Sequence, residues 1–251
     1  MMTTKPAAAR SRRDYVTAGL ASMMGTTIEW YDFFLYGTAA ALIFNKIFFP
    51  AFDPLTGTLA AFATYSVGFF ARPLGGVIFG HYGDKIGRKS MLLITLLLMG
   101  VPTILIGLIP SYEQIGYWAA VLLVLMRFLQ GIAVGGEWGG AVLMAVEHAP
   151  EGKKGFFGSL PQAGVAPGLI LSSLAMGAVA ALPEEDMLSW GWRLPFLASV
   201  VLLLVGWFIR VKVAESPDFE QMREKGAKVE VPVAEVLKHH RRALLVVVGA
   251  R

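Results

Sequence analysis

Six blocks of predominantly apolar residues alternate with short polar segments along the chain. Each block has about 20 residues or more, the length that an α-helix needs to cross a bilayer. The pattern therefore predicts an all-α integral membrane protein with a six-transmembrane-helix bundle. The dipeptide Glu–Trp recurs in the first and fourth blocks, as a three-plus-three inverted repeat would give. The predicted helices cover about residues 16–44, 57–80, 91–109, 116–146, 156–181 and 191–211.

The segments outside this bundle differ in character. Residues 1–14 form a polar, basic tail, and residues 15–212 contain the six-helix bundle. Residues 213–242 are highly charged, which predicts a central loop in water. Residues 243–251 are apolar again but too short to cross a bilayer, so they predict the start of a truncated seventh helix. We therefore expect this chain to be one portion of a longer protein.

Lysine and arginine residues gather in alternate polar segments. With the N-terminus in the cytoplasm, the cytoplasmic side holds the basic tail, segments 81–90 and 147–154, and the central loop 213–242. The opposite side holds the acidic cluster 184–186. Membrane proteins keep an excess of Lys and Arg in their cytoplasmic loops. The distribution therefore predicts a multi-pass protein of the plasma (inner) membrane with a cytoplasmic N-terminus.

Composition agrees with this class and excludes several others. The chain is 55% hydrophobic and 16% charged, whereas soluble domains are usually about a quarter charged. It has no cysteine, and its four histidines lack metal-ligand spacing, so no metal site is expected. No nucleophile–base pair or phosphate-binding loop is present, so neither an enzyme nor a cofactor is expected. The net charge of +4 comes from loops between apolar blocks and does not indicate nucleic-acid binding.

The first predicted helix carries two carboxylates, Glu29 and Asp32, near its middle. At 3.6 residues per turn they share one narrow face with Ser22, Gly25 and Tyr36. A charge at membrane depth is costly, so this face should meet protein or a water-filled cavity. It predicts one wall of a substrate or proton pathway. The alternative is a structural ion pair that only holds helices together.

The segment between the second and third predicted helices, GHYGDKIGRK at 80–89, combines glycine and charge. The candidate functional residues of this segment are Gly80, Gly83, Asp84, Gly87, Arg88 and Lys89. Glycine permits backbone conformations closed to other residues, an aspartate can meet the positive N-terminus of a helix, and an arginine can pair with a nearby acid. The spacing predicts a tight turn with specific contacts. The alternative is an ordinary basic loop on the cytoplasmic side.

This segment resembles the loop signature of the major facilitator superfamily. Further stretches resemble its metabolite:proton symporter branch, which includes shikimate, α-ketoglutarate, citrate and proline/betaine carriers. The matching stretches are GTTIEWYDFFLYG (25–37), ARPLGGVIFGHYGDKIGRK (71–89), RFLQGIAVGGEWGGA (127–141), GWRLPF (191–196) and ESPDF (215–219). The resemblance implies a full protein of twelve helices in two six-helix halves. This chain then corresponds to the N-terminal half and the central loop, without the C-terminal six-helix half.

The resemblance also implies a function. Such a carrier moves a small organic acid or zwitterion together with protons by alternating access, with helices one and four lining the central cavity. Glu29 and Asp32 are then candidates for proton coupling, and segment 80–89 would hold or release the cytoplasmic gate. The implied partners are the lipid bilayer, protons, the substrate and the second half. The alternative is a transport-incompetent fragment that acts only as an assembly or interaction module.

Two arginines, Arg72 and Arg127, lie inside apolar sequence and are candidates for substrate binding. Arginine stays charged and can bind a carboxylate through two hydrogen bonds. The alternative is pairing with Glu29, Asp32 or Glu137, and a substrate that displaces such a partner would reconcile both. Two buried arginines favour a carboxylate over a cation, while a zwitterion stays open.

Helix four presents two faces. Arg127, Gln130 and Glu137 fall within about a quarter of its circumference. Gln130 is a further candidate substrate contact, and Glu137 is either a second titrating acid or the structural partner of an arginine. A separate stripe of small residues predicts close packing on another helix, and it comprises Gly131, Gly135 and Gly139. Tyr36 in helix one and Gln162 in helix five complete the substrate candidates, although lipid or packing exposure is the alternative for Gln162.

Overall fold

The computed structural model describes residues 12–216 and 219–220. The predictions for residues 1–11, for residues 221–242 of the central loop and for the seventh helix at 243–251 lie outside the described residues. The described part of the chain consists of α-helices, two short π-helical segments and turns, without a β-strand.

Six long helical segments correspond to the six apolar blocks. In chain order the α-helices are α1 (Arg12–Ala39), α2 (Asn45–Phe48), α3 (Pro54–Ile86), α4 (Arg88–Leu108), α5 (Tyr112–Ile115), α6 (Trp118–His148), α7 (Lys154–Ala163), α8 (Val165–Ala180), α9 (Glu184–Asp186) and α10 (Arg193–Val211). The π-helical segments are Ala40–Phe44, which joins α1 to α2, and Met187–Gly191, which follows α9. Helices α7 and α8 meet at Gly164 and form one long segment.

Four of the described helical segments are long and apolar enough to cross a membrane, namely α4, α6, α7 with α8, and α10. Helices α1 and α3 have 28 and 33 residues but carry charges within their apolar stretches. These charges are Glu29 and Asp32 in α1 and Arg72 in α3. Charged side chains in membrane helices face the protein interior or a cavity, so α1 and α3 mark where a functional site is expected.

Helix α3 begins with a well-formed cap. The Asp53 side chain accepts hydrogen bonds from the backbone amides of Leu55 and Thr56, each at 3.2 Å, and Pro54 occupies the first helical position. Hydrogen bonds from the side chain and backbone of Thr56, and from the backbone of Leu55, lower the pKa of Asp53. We call this end of the bundle the Asp53 end.

At the other end of α3 the predicted loop is almost entirely helical, so its predicted extent is wrong. Helix α3 continues to Ile86 and α4 starts at Arg88, which leaves only Gly87 between them. Lysine and arginine are good helix formers, and they extend the helices. Gly87 has φ of 102°, a conformation that side-chain-bearing residues rarely adopt, and it makes the turn alone. We call this end the Gly87 end.

Helix α6 packs against α1, α3, α4 and α7. Its glycines let α3 approach closely, because a Cβ added at Gly131 or Gly135 would collide with the carbonyl oxygen of Gly68 or Arg72, respectively. The packing prediction is confirmed for these two glycines. It is wrong for Gly139, where an added Cβ has no described atom within 4 Å.

An aromatic core closes the Asp53 end. It is part of the largest cluster of buried hydrophobic residues and joins α1, its π-helical continuation, α2 and the start of α10. Its rings meet mostly edge to face, with centroids 5.0–6.0 Å apart, and they belong to Tyr36, Phe44, Phe48, Trp192 and Phe196. Edge-to-face contacts of this kind add stability beyond the burial of apolar area.

Candidate functional site

Asp32 is held by three polar side chains from two other helices. Its Oδ2 accepts a hydrogen bond from Arg127 Nη1 at 2.9 Å, and its Oδ1 accepts from Thr103 Oγ1 at 2.8 Å and from Gln130 Nε2 at 2.9 Å. All four side chains are buried. We call Asp32, Thr103, Arg127 and Gln130 the Asp32 cluster. It brings together Asp32, Arg127 and Gln130 as predicted, and Thr103 was not foreseen.

Arg127 is sandwiched between a carboxylate and an aromatic ring. Its guanidinium carbon lies 3.3 Å from the ring centroid of Tyr36. Among the described residues, Nε and Nη2 of Arg127 have no hydrogen-bond partner. The Tyr36 hydroxyl lies 2.5 Å from Thr64 Oγ1. Tyr36 therefore contacts Arg127 through its π face, which attracts a cation and helps to fix the position of the guanidinium.

A small, partly open cavity adjoins the Asp32 cluster. It has about 20 Å³ of space for water-sized groups, and its charged lining residues are Glu29, Asp32, Arg72 and Arg127. The carbon centre of the Arg72 guanidinium lies 4.6 Å from the ring centroid of Phe69. The cavity thus brings two carboxylates and two guanidinium groups to one place, with α1, α3 and α6 each contributing.

Two buried acceptor atoms of residues that line this cavity lack a donor among the described residues. Glu29 is only 6% exposed, and its Oε2 has no hydrogen-bond partner among the described residues. The same holds for Oε1 of Gln130, which is 2% exposed. Buried polar atoms are nearly always hydrogen-bonded in native proteins. Both residues line the same cavity, which has space for one water-sized hydrogen-bond donor.

Glu137 belongs to a different cluster. It is fully buried and forms a two-pronged ion pair with Arg210 of α10, in which Arg210 Nη1 lies 3.2 Å from Glu137 Oε2. Thr95 Oγ1 donates to the same Oε2 at 2.6 Å, and Arg210 also donates to the Leu92 carbonyl. Within the described part of the chain, this geometry fits the structural-partner alternative for Glu137. We call Glu137, Arg210 and Thr95 the Glu137 cluster.

Arg210 and Thr95 were missed by sequence reasoning. Arg210 stands near the end of the sixth apolar block, where a basic residue is normally read as a flank facing water. It is instead 3% exposed. The one sign of burial in the sequence is that Arg210 still lies among apolar residues, one residue before the end of α10.

The predicted substrate candidate Gln162, by contrast, is exposed and does not line the cavity at the Asp32 cluster.

Polar contacts tie the Gly87 end together. Arg88 pairs with Glu147 at the end of α6, and Glu147 accepts from the Ser216 hydroxyl. Glu215 Oε1 accepts from the backbone amide of Lys89 at 3.0 Å, and Lys89 Nζ donates to the Val211 carbonyl at 2.7 Å. The junction between α3 and α4 is thereby bound to α6 and to the segment after α10.

The remaining predicted junction residues behave differently. Gly87 lies so close to Glu215 that an added Cβ would collide with its carboxylate. Gly83 is buried, and a Cβ added at Gly80 meets no described atom within 4 Å. The side chain of Asp84 lies outside the described part of the structure. Specific contacts at this junction thus come from Gly87, Arg88 and Lys89, together with two acids that sequence reasoning did not single out, Glu147 and Glu215.

Comparison with known sequences identifies relatives. The profile of the family described as "Sugar (and other) transporter" matches residues 17–237. The chain is 51% identical over 245 residues to the shikimate transporter of Escherichia coli (strain K12). The aligned region covers 96% of this chain and 55% of that protein. It is 40% identical over 241 residues to the proline/betaine transporter of Salmonella typhimurium, covering 91% and 48%. The chain spans about half the length of the curated relatives it matches.

Solved structures share the fold. The proton:xylose symporter XylE bound to 6-bromo-6-deoxy-D-glucose matches with a TM-score of 0.74 at 18% identity, over 85% of this chain and 48% of that one. Its inward open conformation matches with a TM-score of 0.68 at 16% identity, over 90% and 56%. This likeness confirms the predicted all-α bundle with the fold of one half of such a transporter.

Proposed function

The chain belongs to the sugar (and other) transporter family of the major facilitator superfamily, and from this premise we propose that it supplies the N-terminal half of a proton-coupled symporter for a small organic carboxylate. The family consists of membrane transporters and not of enzymes. We further propose that residues 15–212 form the bundle, that residues 213–242 link it to a C-terminal six-helix half, and that residues 243–251 begin helix seven.

The charge balance of the cavity carries this proposal. Its lining holds the formally negative Glu29 and Asp32 and the formally positive Arg72 and Arg127. A carboxylate adds one negative charge and a co-transported proton adds one positive charge, so the loaded cavity stays neutral. Net charge inside a membrane is costly, and a zwitterion with a proton would leave one positive charge there. The balance therefore favours a carboxylate with a proton.

Asp32 is our primary candidate for the proton site. Protonation would remove the charge that holds Arg127 Nη1 and would leave the guanidinium free to bind the substrate carboxylate. Thr103 and Gln130 hold the other oxygen of Asp32, so the side chain keeps its place in both forms. Glu29 is a second candidate at the same cavity. Glu137 is assigned here to structure, because an arginine and a threonine already bind its carboxylate.

The junction of α3 and α4 is our candidate for the gate. We propose that the Gly87 end faces the cytoplasm, together with the N-terminus, because basic residues gather there. Arg88 with Glu147, and the Lys89 amide with Glu215, would then hold the cytoplasmic ends of the bundle together and release them as the carrier changes state. Both contacts lie at helix ends, where small movements can break them.

Uptake in proteoliposomes tests the proposal. We expect the chain, continued into a C-terminal half, to concentrate shikimate under an inward proton gradient. Asp32→Asn should abolish gradient-driven accumulation while exchange of internal for external substrate persists, because the amide cannot release a proton. Glu184→Gln, in an exposed ion pair with Lys46, should accumulate substrate normally.

Two outcomes would contradict this assignment. If Asp32→Asn still concentrates substrate under the gradient, then the proton site is elsewhere. If the wild-type carrier concentrates zwitterions but no carboxylate, then the charge argument is wrong. The 251-residue chain alone is tested in parallel, and substrate accumulation by it would show that the second half is not required.

A further inference from the structure

Asp32 is buried among its partners, and a cavity gives a proton access to it. Its Oδ1 accepts from Thr103 and Gln130, its Oδ2 accepts from Arg127, and the residue is only 4% exposed. Oδ2 keeps one acceptor position, since a carboxylate oxygen has two lone pairs. The small, partly open cavity described above is lined by both Asp32 and Glu29. It therefore offers the proton of Asp32 a route.

The cavity has the polar groups that hold one ordered water molecule. Its space of about 20 Å³ accommodates one water. Glu29 Oε2 and Gln130 Oε1 are buried acceptors without a donor among the described residues, and a water supplies two hydrogens. Arg127 Nη2 is a buried donor without a partner in the same part of the chain, and a water oxygen can accept from it. A buried water usually has about three partners, and these groups can supply them.

The charges at the cavity determine how a proton can cross it. A hydronium ion would be a third cation beside the guanidinium groups of Arg72 and Arg127. Glu29 forms no ion pair among the described residues, and a proton on its carboxylate adds no free cation. Glu29 and Asp32 lie about one turn apart on the same face of α1, a spacing at which the Cβ atoms are about 5–6 Å apart. A water between the two carboxylates can then connect them.

We propose that Glu29 is a proton relay for Asp32 and acts through one ordered water. The inference deepens the proposed function and rests on it, since Asp32 is taken as the proton site. For release, the Asp32 O–H bond breaks as its proton passes to the water, and another proton passes from the water to the Glu29 carboxylate. One proton is moved and the water is regenerated.

The position of Glu29 gives the relay a direction. Helix α1 begins at the Gly87 end, where Ala18 and Ala21 pack against Leu92 of α4 and Val213. Glu29 lies about one turn nearer to this end than Asp32 does. The proton is therefore released towards the side that we propose to be cytoplasmic.

Transport rates in proteoliposomes test this inference with the chain continued into a C-terminal half. Glu29→Gln keeps the shape of the side chain but cannot accept and release a proton. We expect it to slow gradient-driven uptake of shikimate by at least about tenfold and to change exchange of internal for external shikimate by less than about twofold. Exchange is spared because it needs no proton release. The final accumulation ratio should match that of the wild type, since Asp32 still couples a proton to the substrate.

Two further comparisons control for packing. Glu29→Asp and Glu29→Asn have side chains of the same shape, and only the aspartate can relay a proton. The aspartate variant should keep most of the wild-type uptake rate, and the asparagine variant should not. Glu184→Gln should match the wild type in uptake, exchange and accumulation ratio.

The outcomes separate the relay from the proposed function. Wild-type uptake rates in Glu29→Gln, or equal rates in the aspartate and asparagine variants, would overturn the relay. Equal slowing of uptake and exchange would also overturn it, because a packing defect affects both. A lowered accumulation ratio would make Glu29 the coupling site instead of a relay. A wild type that exchanges shikimate but never concentrates it would contradict the proposed function, and the relay with it.

Discussion

At the scale of single residues, two buried carboxylates with arginine partners have different surroundings. Glu137 meets Arg210 through both of its oxygens and also accepts from Thr95. Asp32 meets Arg127 through one oxygen, beside a cavity. A fully enclosed pair can only be disrupted at a high free-energy cost, whereas a pair beside a cavity can exchange its partner for a ligand. The enclosed pair of Glu137 and Arg210 therefore suits a structural role, and the pair of Asp32 and Arg127 suits a functional role.

Removing the charge of Glu137 should destabilise the bundle. Glu137→Gln leaves the Arg210 guanidinium buried with only part of its partners, and loss of one member of a buried pair costs about 3 kcal/mol or more. The measurement is the free energy of unfolding in detergent micelles. Adding Arg210→Met to Glu137→Gln should recover much of the loss, because no unpaired charge remains. A double variant that is as unstable as the sum of both single variants would refute the pairing.

The contact of Tyr36 with Arg127 should matter through its ring. Tyr36→Leu removes the π face that holds the guanidinium, a contact worth about 2 kcal/mol when desolvated. Carboxylate binding by calorimetry should then weaken by about thirtyfold. Tyr36→Phe keeps the ring, and Thr64 retains its hydrogen bond to the Ala61 carbonyl at 2.6 Å. Its affinity should stay near that of the wild type, and equal losses in both variants would show that the hydroxyl is what counts.

Helical spacing predicts which side chains of one helix share a face, and it placed Glu29 beside Asp32 correctly at the cavity. It carries no information on the register between helices. The sequence therefore left open whether Glu29, Asp32 or Glu137 pairs with Arg127, and it offered no reason to single out Thr103. Arg210 was missed for the same reason, since only the packing of α10 on α4 and α1 shows that its guanidinium turns inward.

At the scale of elements, the junction between α3 and α4 depends on one glycine. The sequence indicated a turn at 80–89 but not its length, because helix-forming lysine and arginine can extend a helix up to its last permitted residue. What stops both helices is the backbone of Gly87, with φ of 102°. Whether a given glycine adopts such a conformation depends on its surroundings, here the Glu215 carboxylate.

Gly87→Ala should therefore be more harmful than the same change at Gly80. A side chain in this conformation, with φ of 102° and ψ of 145°, costs roughly 1–3 kcal/mol, and the new Cβ would also displace Glu215 from the Lys89 amide. Gly80 lies within α3 and an added Cβ there meets no described atom within 4 Å, so alanine should stabilise the helix by up to about 1 kcal/mol. Thermal unfolding in micelles compares the two variants. If Gly80→Ala destabilises the protein as much as Gly87→Ala does, then the turn geometry at Gly87 is not the cause of the lost stability.

At the scale of the whole molecule, the fold class followed from apolar block length. A bilayer leaves helices as the only way for such blocks to satisfy their backbone groups. The sequence could not determine how the helices pack, since apolar blocks look alike on their lipid-facing and protein-facing sides. Charges break that equivalence. The helices with buried charges, α1, α6 and α10, therefore define the interior, and α3 adds the partly buried Arg72 at the cavity. The orientation in the membrane rests on the basic residues alone.

Single-cysteine labelling tests that orientation, because the chain has no cysteine of its own. Lys153 is exposed at the Gly87 end, just before α7, and Glu185 is exposed in α9 at the other end. The positive-inside rule predicts that a membrane-impermeant maleimide labels Lys153→Cys only from the cytoplasmic side and Glu185→Cys only from the outer side. Right-side-out and inside-out vesicles distinguish these cases. The reverse pattern would place the Gly87 end outside, and the proposed gate would then close the outward rather than the inward path.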